Sequence, residues 1–197
     1  MPVVVESVFL FVIIMALKSP LFDAFSFSHR HVPSIERLLA SIRRHEEFGH
    51  YIYRTGFQRD RDTISLGSFQ PCWLKRIARK VKWEFPGGFP PDHAVYAHLF
   101  QIHPGAEEQE MHADGFDAAS GEPLFWNIFV PLTFHATQGT TVFPQGVRPS
   151  PHCMNYLFDS AVLHHGQANH STHCRWVLML VVAHVRSNWQ YAVCVDV

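Results

Sequence analysis

A small set of side chains has the types and spacing to hold a redox-active metal and an anionic co-substrate. His112 and Asp114 stand two residues apart in Met111-His112-Ala113-Asp114, and a His164-His165 pair lies far downstream. Two imidazoles and one carboxylate can occupy one face of an octahedral Fe(II). Three positions then stay open for a co-substrate and O2. Arg175 follows His164 by eleven residues. A guanidinium there can clamp a carboxylate through two parallel hydrogen bonds.

These side chains need strands to bring them together. On an extended segment His112 and Asp114 point to the same side, because side chains alternate with period two. The third ligand must then come from a distant strand. From Ala94 onward the pattern predicts strands over Val95–Ile102, Leu124–Leu132, Thr140–Phe143, Asn155–Phe158, Arg175–Val185 and Trp189–Val195. Pro104-Gly105, Gly115, Gly121, Gln138-Gly139 and Gly146 punctuate them. Upstream, Ser34 is a helix cap followed by Ile35, Leu38, Leu39 and Ile42 at helical spacing, with the end near Phe48–Gly49. Residues 55–90 read as loop-rich with one short amphipathic helix over Pro71–Val81, closed by the Gly- and Pro-rich break Phe85–Pro91. The expected fold is mainly β with N-terminal helices: a double-stranded β-helix, or cupin-like jelly roll.

With 197 residues, 47% hydrophobic and 17% charged, the chain reads as one globular domain over 28–197 preceded by an apolar segment, 1–27. The unbroken apolar run Val8–Leu17 is shorter than the roughly 20 residues a membrane span needs. Glu6 precedes it and no Lys or Arg does, which departs from a secretory signal. A buried element is therefore preferred over a signal or anchor. Membrane association through residues 3–17 is the alternative, and a cytoplasmic or organellar location is favoured over secretion. A net charge of −1 gives no broad attraction to nucleic acid, so a small-molecule partner is expected. Lys75, Arg76, Lys80 and Lys82 read as a solvated face. Cys72, Cys153, Cys174 and Cys194 are scattered, with no Cys-x-x-Cys pair and no disulfide framework.

Two sequence blocks carry a family resemblance. The upstream block is Pro104-Gly105-Ala106-Glu107-Glu108-Gln109-Glu110-Met111-His112-Ala113-Asp114. The downstream block runs from Phe158-Asp159 through His164, Asn169 and Ser171 to Arg175. Between them stand Val130-Pro131-Leu132-Thr133 and Gly139-Thr140-Thr141-Val142-Phe143-Pro144. In order and spacing they resemble the Fe(II)/2-oxoglutarate dioxygenases of the phytanoyl-CoA dioxygenase type, over about residues 95–185. Counting Asn five, Ser seven and Arg eleven residues after the ligand selects His164 over His165.

The resemblance implies an iron bound by His112, Asp114 and His164, with 2-oxoglutarate and O2 as co-substrates. Arg175 would hold the distal carboxylate of 2-oxoglutarate, and Gln109, Asn169 and Ser171 would support it. The implied reaction hydroxylates a small organic or lipid-like substrate and releases succinate and CO2. Gln101 and Asn127 are candidate pocket residues. Trp126, Phe129 and Phe134 read as core, and Asp159 as a strand-end hydrogen-bonding residue. His170 and His173 fit a loop. Two other readings are a metal-binding jelly roll without turnover and a protein-modifying oxygenase of the same barrel. Prolyl hydroxylases usually carry Lys where Arg175 stands, which disfavours that second reading.

Overall fold

The computed structural model describes residues 19–27, 34–42, 52–54, 60–66, 70–133, 141–150, 152–187 and 193–195. The apolar run 3–17, the helix end near Phe48–Gly49 and Phe134 lie outside them. Among the described residues, no helix is long and apolar enough to cross a membrane.

The strands are β1 (Leu21–Phe22), β2 (Ile52–Arg54), β3 (Arg61–Ser65), β4 (His93–Ile102), β5 (Phe125–Pro131), β6 (Thr141–Val142), β7 (Tyr156–Asp159), β8 (His165–Gly166), β9 (Arg175–His184) and β10 (Val193–Cys194). Helices α1 (Ile35–Ile42) and α2 (Cys72–Glu84) precede β4. Among the described residues, eight strands form one antiparallel sheet in the order β1-β7-β5-β9-β4-β3-β2, with β10 on β4 beyond the end of β3. β6 and β8 form a second, short sheet. A bridge between His112 and His164 extends it.

The large sheet is covered on both faces, which explains the nearly unbroken apolar runs of β4 and β9. On its outer face, Leu74, Ile77, Ala78 and Val81 of α2 join Val95, Ala97, Leu99, Leu178, Leu180 and Val182 in the main core. Its inner face turns toward the short sheet. Alternation puts His98, Phe100 and Ile102 of β4 and Arg175, Val177 and Met179 of β9 on that side, around a cavity of about 320 Å³.

Ser34 caps α1 through a hydrogen bond from the Arg37 amide, 3.4 Å. The strands predicted from Val95 to Val185 match β4, β5, β6, β7 and β9 within two residues at each end. The stretch 55–90 needs correction. It holds the five-residue strand β3, and its helix runs through Glu84 rather than ending at Val81. β3 escapes a hydrophobic reading because its inward residues, Arg61 and Thr63, are polar. The break after α2 is as expected, with Gly87 and Gly88 both at positive φ.

Candidate metal centre

His112, Asp114 and His164 come together with their ligand atoms all within 4.8 Å of one another. His112 Nε2 is 3.7 Å from Asp114 Oδ1, and His164 Nε2 is 3.5 Å from Asp114 Oδ2. The backbone sets this arrangement. The His112 amide donates to the His164 carbonyl at 2.9 Å, and the His164 amide returns the bond at 2.8 Å. The two imidazoles therefore sit on neighbouring strand segments, with ring centroids 4.7 Å apart.

The tautomers follow from the partners of the other ring nitrogens. His112 Nδ1 lies 2.8 Å from the Glu110 carbonyl, and His164 Nδ1 lies 3.0 Å from the Val162 carbonyl. A carbonyl only accepts, so each Nδ1 carries a proton, which leaves each Nε2, on the side of Asp114, as the nitrogen that can bind a metal. This is the tautomer a metal ligand needs, and the carbonyls fix both rings. Burial lowers the pKa of His164 and favours its neutral form. Asn127 Nδ2 donates to Asp114 Oδ2 at 2.5 Å from the floor of β5. The donor set of two imidazoles and one oriented carboxylate fits Fe(II).

At the other end of the same cavity lie two buried arginines. Arg175, on β9, is 3% exposed, and Arg61, on β3, is 2% exposed. Arg175 Nη2 donates to the Gln167 carbonyl at 2.6 Å; Arg61 Nη2 donates to the Glu107 carbonyl at 2.6 Å. Burial, and then the neighbouring Arg61 charge, bring the Arg175 pKa down to about 10. Both remain cationic at neutral pH, and Asp60 lies 3.6 Å from Arg61 Nη1, so the two guanidiniums carry more positive charge than the one carboxylate offsets and this end of the cavity attracts anions. Thr141 completes the wall, its hydroxyl 2.7 Å from that of Tyr156.

No protein-family model and no curated protein matches the chain. Solved structures do resemble it. A prolyl-4-hydroxylase from Pseudomonas putida has a TM-score of 0.58 at 15% identity, over 88% of this chain and 97% of its own. ThoJ, a non-heme monooxygenase in a nickel complex, has a TM-score of 0.60 at 14% identity, over 94% and 84%. HygX from Streptomyces hygroscopicus, with nickel, 2-oxoglutarate and hygromycin B bound, has a TM-score of 0.59 at 10% identity, over 89% and 86%. The chain shares the fold of these proteins.

The remaining sequence candidates fall into two groups. Gln109 lines the cavity and accepts the Gly166 amide through Oε1 at 2.8 Å. A side chain at Gly166 would collide with that oxygen. Asn169 and Ser171 instead hold the loop before β9. Asn169 Nδ2 donates to the carbonyls of Ile102, His103 and His173, and its Oδ1 accepts from the Ser171 hydroxyl. Neither lines the cavity. His165 points elsewhere, with Nε2 3.1 Å from Glu108. His170 and His173 are exposed in the loop. Asp159 Oδ1 accepts the Ala161 amide, a strand-end role.

Two expectations change. Gln101 lies on the sheet face away from the cavity, because β4 alternates and His98, Phe100 and Ile102 face inward. Phe129 is a cavity wall rather than core alone, its ring edge-on to His164 at 6.5 Å. Trp126 packs against the outer core as expected. Arg61 and His98 also line the cavity, outside every motif of the sequence. His98 would have been legible from its even spacing with Phe100 and Ile102; Arg61 carried no signal without β3.

Proposed function

We propose that the chain is an Fe(II)- and 2-oxoglutarate-dependent oxygenase of the phytanoyl-CoA dioxygenase type, hydroxylating a small organic or lipid-like substrate. The observation that carries this reading is the shared cavity: a tautomer-fixed His-Asp-His set at one end and two buried guanidiniums at the other. A molecule with a metal-chelating head and a distal carboxylate matches both ends, and 2-oxoglutarate is such a molecule.

His112, Asp114 and His164 would hold the iron, which supplies O2 activation coupled to oxidative decarboxylation of the co-substrate. The balance is substrate C–H, O2 and 2-oxoglutarate giving substrate C–OH, succinate and CO2. Asn127 holds the Asp114 carboxylate in place. Arg175, with Arg61 beside it, orients the co-substrate through its far carboxylate. Phe100, Phe129, Val177 and Met179 keep the wall between the two ends apolar and limit water. Hydroxylation of a small molecule is favoured over protein modification by Arg175, which stands where prolyl hydroxylases usually carry Lys.

Anaerobic titration with Fe(II) and then 2-oxoglutarate tests the reading. The expected result is a weak visible metal-to-ligand band that saturates with 2-oxoglutarate. Admitting O2 with candidate substrates then releases succinate in step with O2 uptake. A band without succinate release across all substrates would leave a metal-binding jelly roll lacking turnover. No saturable band at all would end the proposal.

A further inference from the structure

The Cys174 thiol sits at a corner of the large sheet, on the face turned from the cavity. Two polar side chains face it, and a third backs one of them. His103 Nδ1 is 3.9 Å from Cys174 Sγ, and the opposite ring nitrogen, Nε2, is 2.7 Å from Asp62 Oδ2. Gln101 Nε2 donates to Cys174 Sγ at 3.2 Å. The register explains the cluster: Asp62 of β3 is the cross-strand partner of Gln101 on β4, and Cys174 immediately precedes β9, whose Arg175 pairs with Ile102. Asn169 Nδ2 grips the His103 carbonyl and holds that corner in place.

Proton logic gives the arrangement a direction. An ionised carboxylate only accepts, so the hydrogen between His103 and Asp62 belongs to His103 Nε2. In the neutral ring Nδ1 then presents a lone pair, toward which the Cys174 S–H donates. A nucleophile next to a base, with the base oriented by a carboxylate, is the pattern of an activated thiol. The Gln101 amide aims a further N–H at the sulfur, where negative charge would develop. His103 keeps 34% of its side chain exposed and Cys174 is half-buried, so a small reagent can reach the pair.

We propose that Cys174, His103, Asp62 and Gln101 form a base-activated thiol site that takes small electrophiles, hydrogen peroxide among them. With peroxide, the thiol proton passes to His103 Nδ1 while sulfur forms a bond to one peroxide oxygen. The O–O bond breaks, and the leaving hydroxide takes up that proton as water. The sulfur is oxidised by two electrons to the sulfenic acid, and the peroxide is reduced.

The other cysteines provide internal controls. Cys72 and Cys194 are exposed, and Cys153 is buried. If accessibility alone set reactivity, Cys72 and Cys194 would react first. The wild-type chain is treated at pH 7 with limiting iodoacetamide, and peptide mass spectrometry follows each cysteine. Cys174 is expected to alkylate about tenfold or more faster than Cys72 or Cys194, a modest general-base effect. A Cys174 rate at or below theirs overturns the proposal.

His103→Gln is expected to remove that advantage while the rates of Cys72 and Cys194 stay as they are. An unchanged Cys174 rate in a folded His103→Gln chain also overturns it. Dilute hydrogen peroxide with a sulfenic-acid trap should label Cys174 first. A first adduct at Cys72 or Cys194 rejects the peroxide step.

Discussion

Arg61 and Arg175 donate to one carbonyl oxygen, that of Gln167, at 3.4 and 2.6 Å. Ile102 on β4 is the cross-strand partner of both residues, so the guanidiniums approach from strands on either side of it. Two buried like charges held this close are unfavourable unless something negative offsets them. The Asp60 carboxylate, 3.6 Å from Arg61 Nη1, and the Gln167 carbonyl provide part of that. A carboxylate in the cavity would add to it.

Replacing Arg61 by Met is therefore expected to weaken 2-oxoglutarate binding. Loss of one charge-assisted hydrogen bond of about 1.5–3 kcal/mol corresponds to roughly ten- to hundredfold. Arg175→Met should lose at least as much. Fe(II) affinity should hold in both variants, because neither residue touches the triad. The check is the co-substrate concentration at half-saturation in the anaerobic titration. A wild-type value in Arg61→Met would leave Arg61 a purely structural residue.

The two adjacent histidines separate cleanly by mutation. His164→Ala is expected to abolish stoichiometric Fe(II) binding, and His165→Ala to retain it, since His165 Nε2 faces Glu108 rather than Asp114. Equilibrium dialysis with Fe(II) under anaerobic conditions reads the difference. Equal losses would count against His164 as the ligand.

Asn127 offers a test one step away from the metal. It is fully buried, and its amide fixes one oxygen of Asp114. Asn127→Ala should reduce metal affinity about ten- to hundredfold, the usual consequence of releasing a ligand from its supporting hydrogen bond. Asn127→Asp should do worse, by placing a second carboxylate against the first. Metal titrations of both variants decide whether the contact orients the ligand.

His98 predicts a pH effect on stability. Burial pushes its pKa down from the ordinary histidine value to about 4. A base with a depressed folded-state pKa contributes stability above its unfolded pKa and loses it as pH falls through the folded value. The wild type should therefore lose up to about 3 kcal/mol between pH 6.5 and 4 that His98→Gln does not lose. Denaturant unfolding of the two metal-free chains at pH 7, 5.5 and 4 gives the comparison. Parallel pH profiles would show that His98 accepts its proton without resistance.

The sequence was readable wherever apolar patterning and short motifs coincide. β4, β5, β7 and β9 combine apolar runs with clear turn residues, and the triad lies in blocks whose spacing resembles a known family. Arg61 was not readable, because Arg61-Asp62-Thr63-Ile64-Ser65 shows one apolar residue in five. Its polar positions serve two different sites, Arg61 facing the cavity and Asp62 facing His103. Nor does spacing reveal that Asn169 and Ser171 bind the backbone of their own loop. That outcome depends on the chain doubling back past Ile102 and His103.

The antiparallel bridge between His112 and His164 belongs to a seam that the Gln109 and Gly115 amides continue on either side, donating to the carbonyls of Gly166 and Ser160. Asp114 then reaches across to Asn127 on the large sheet. An ion gripped there would act as a rivet between the two sheets. Occupancy would thus be readable by calorimetry alone, as an unfolding temperature that climbs with free metal concentration even when no substrate is known.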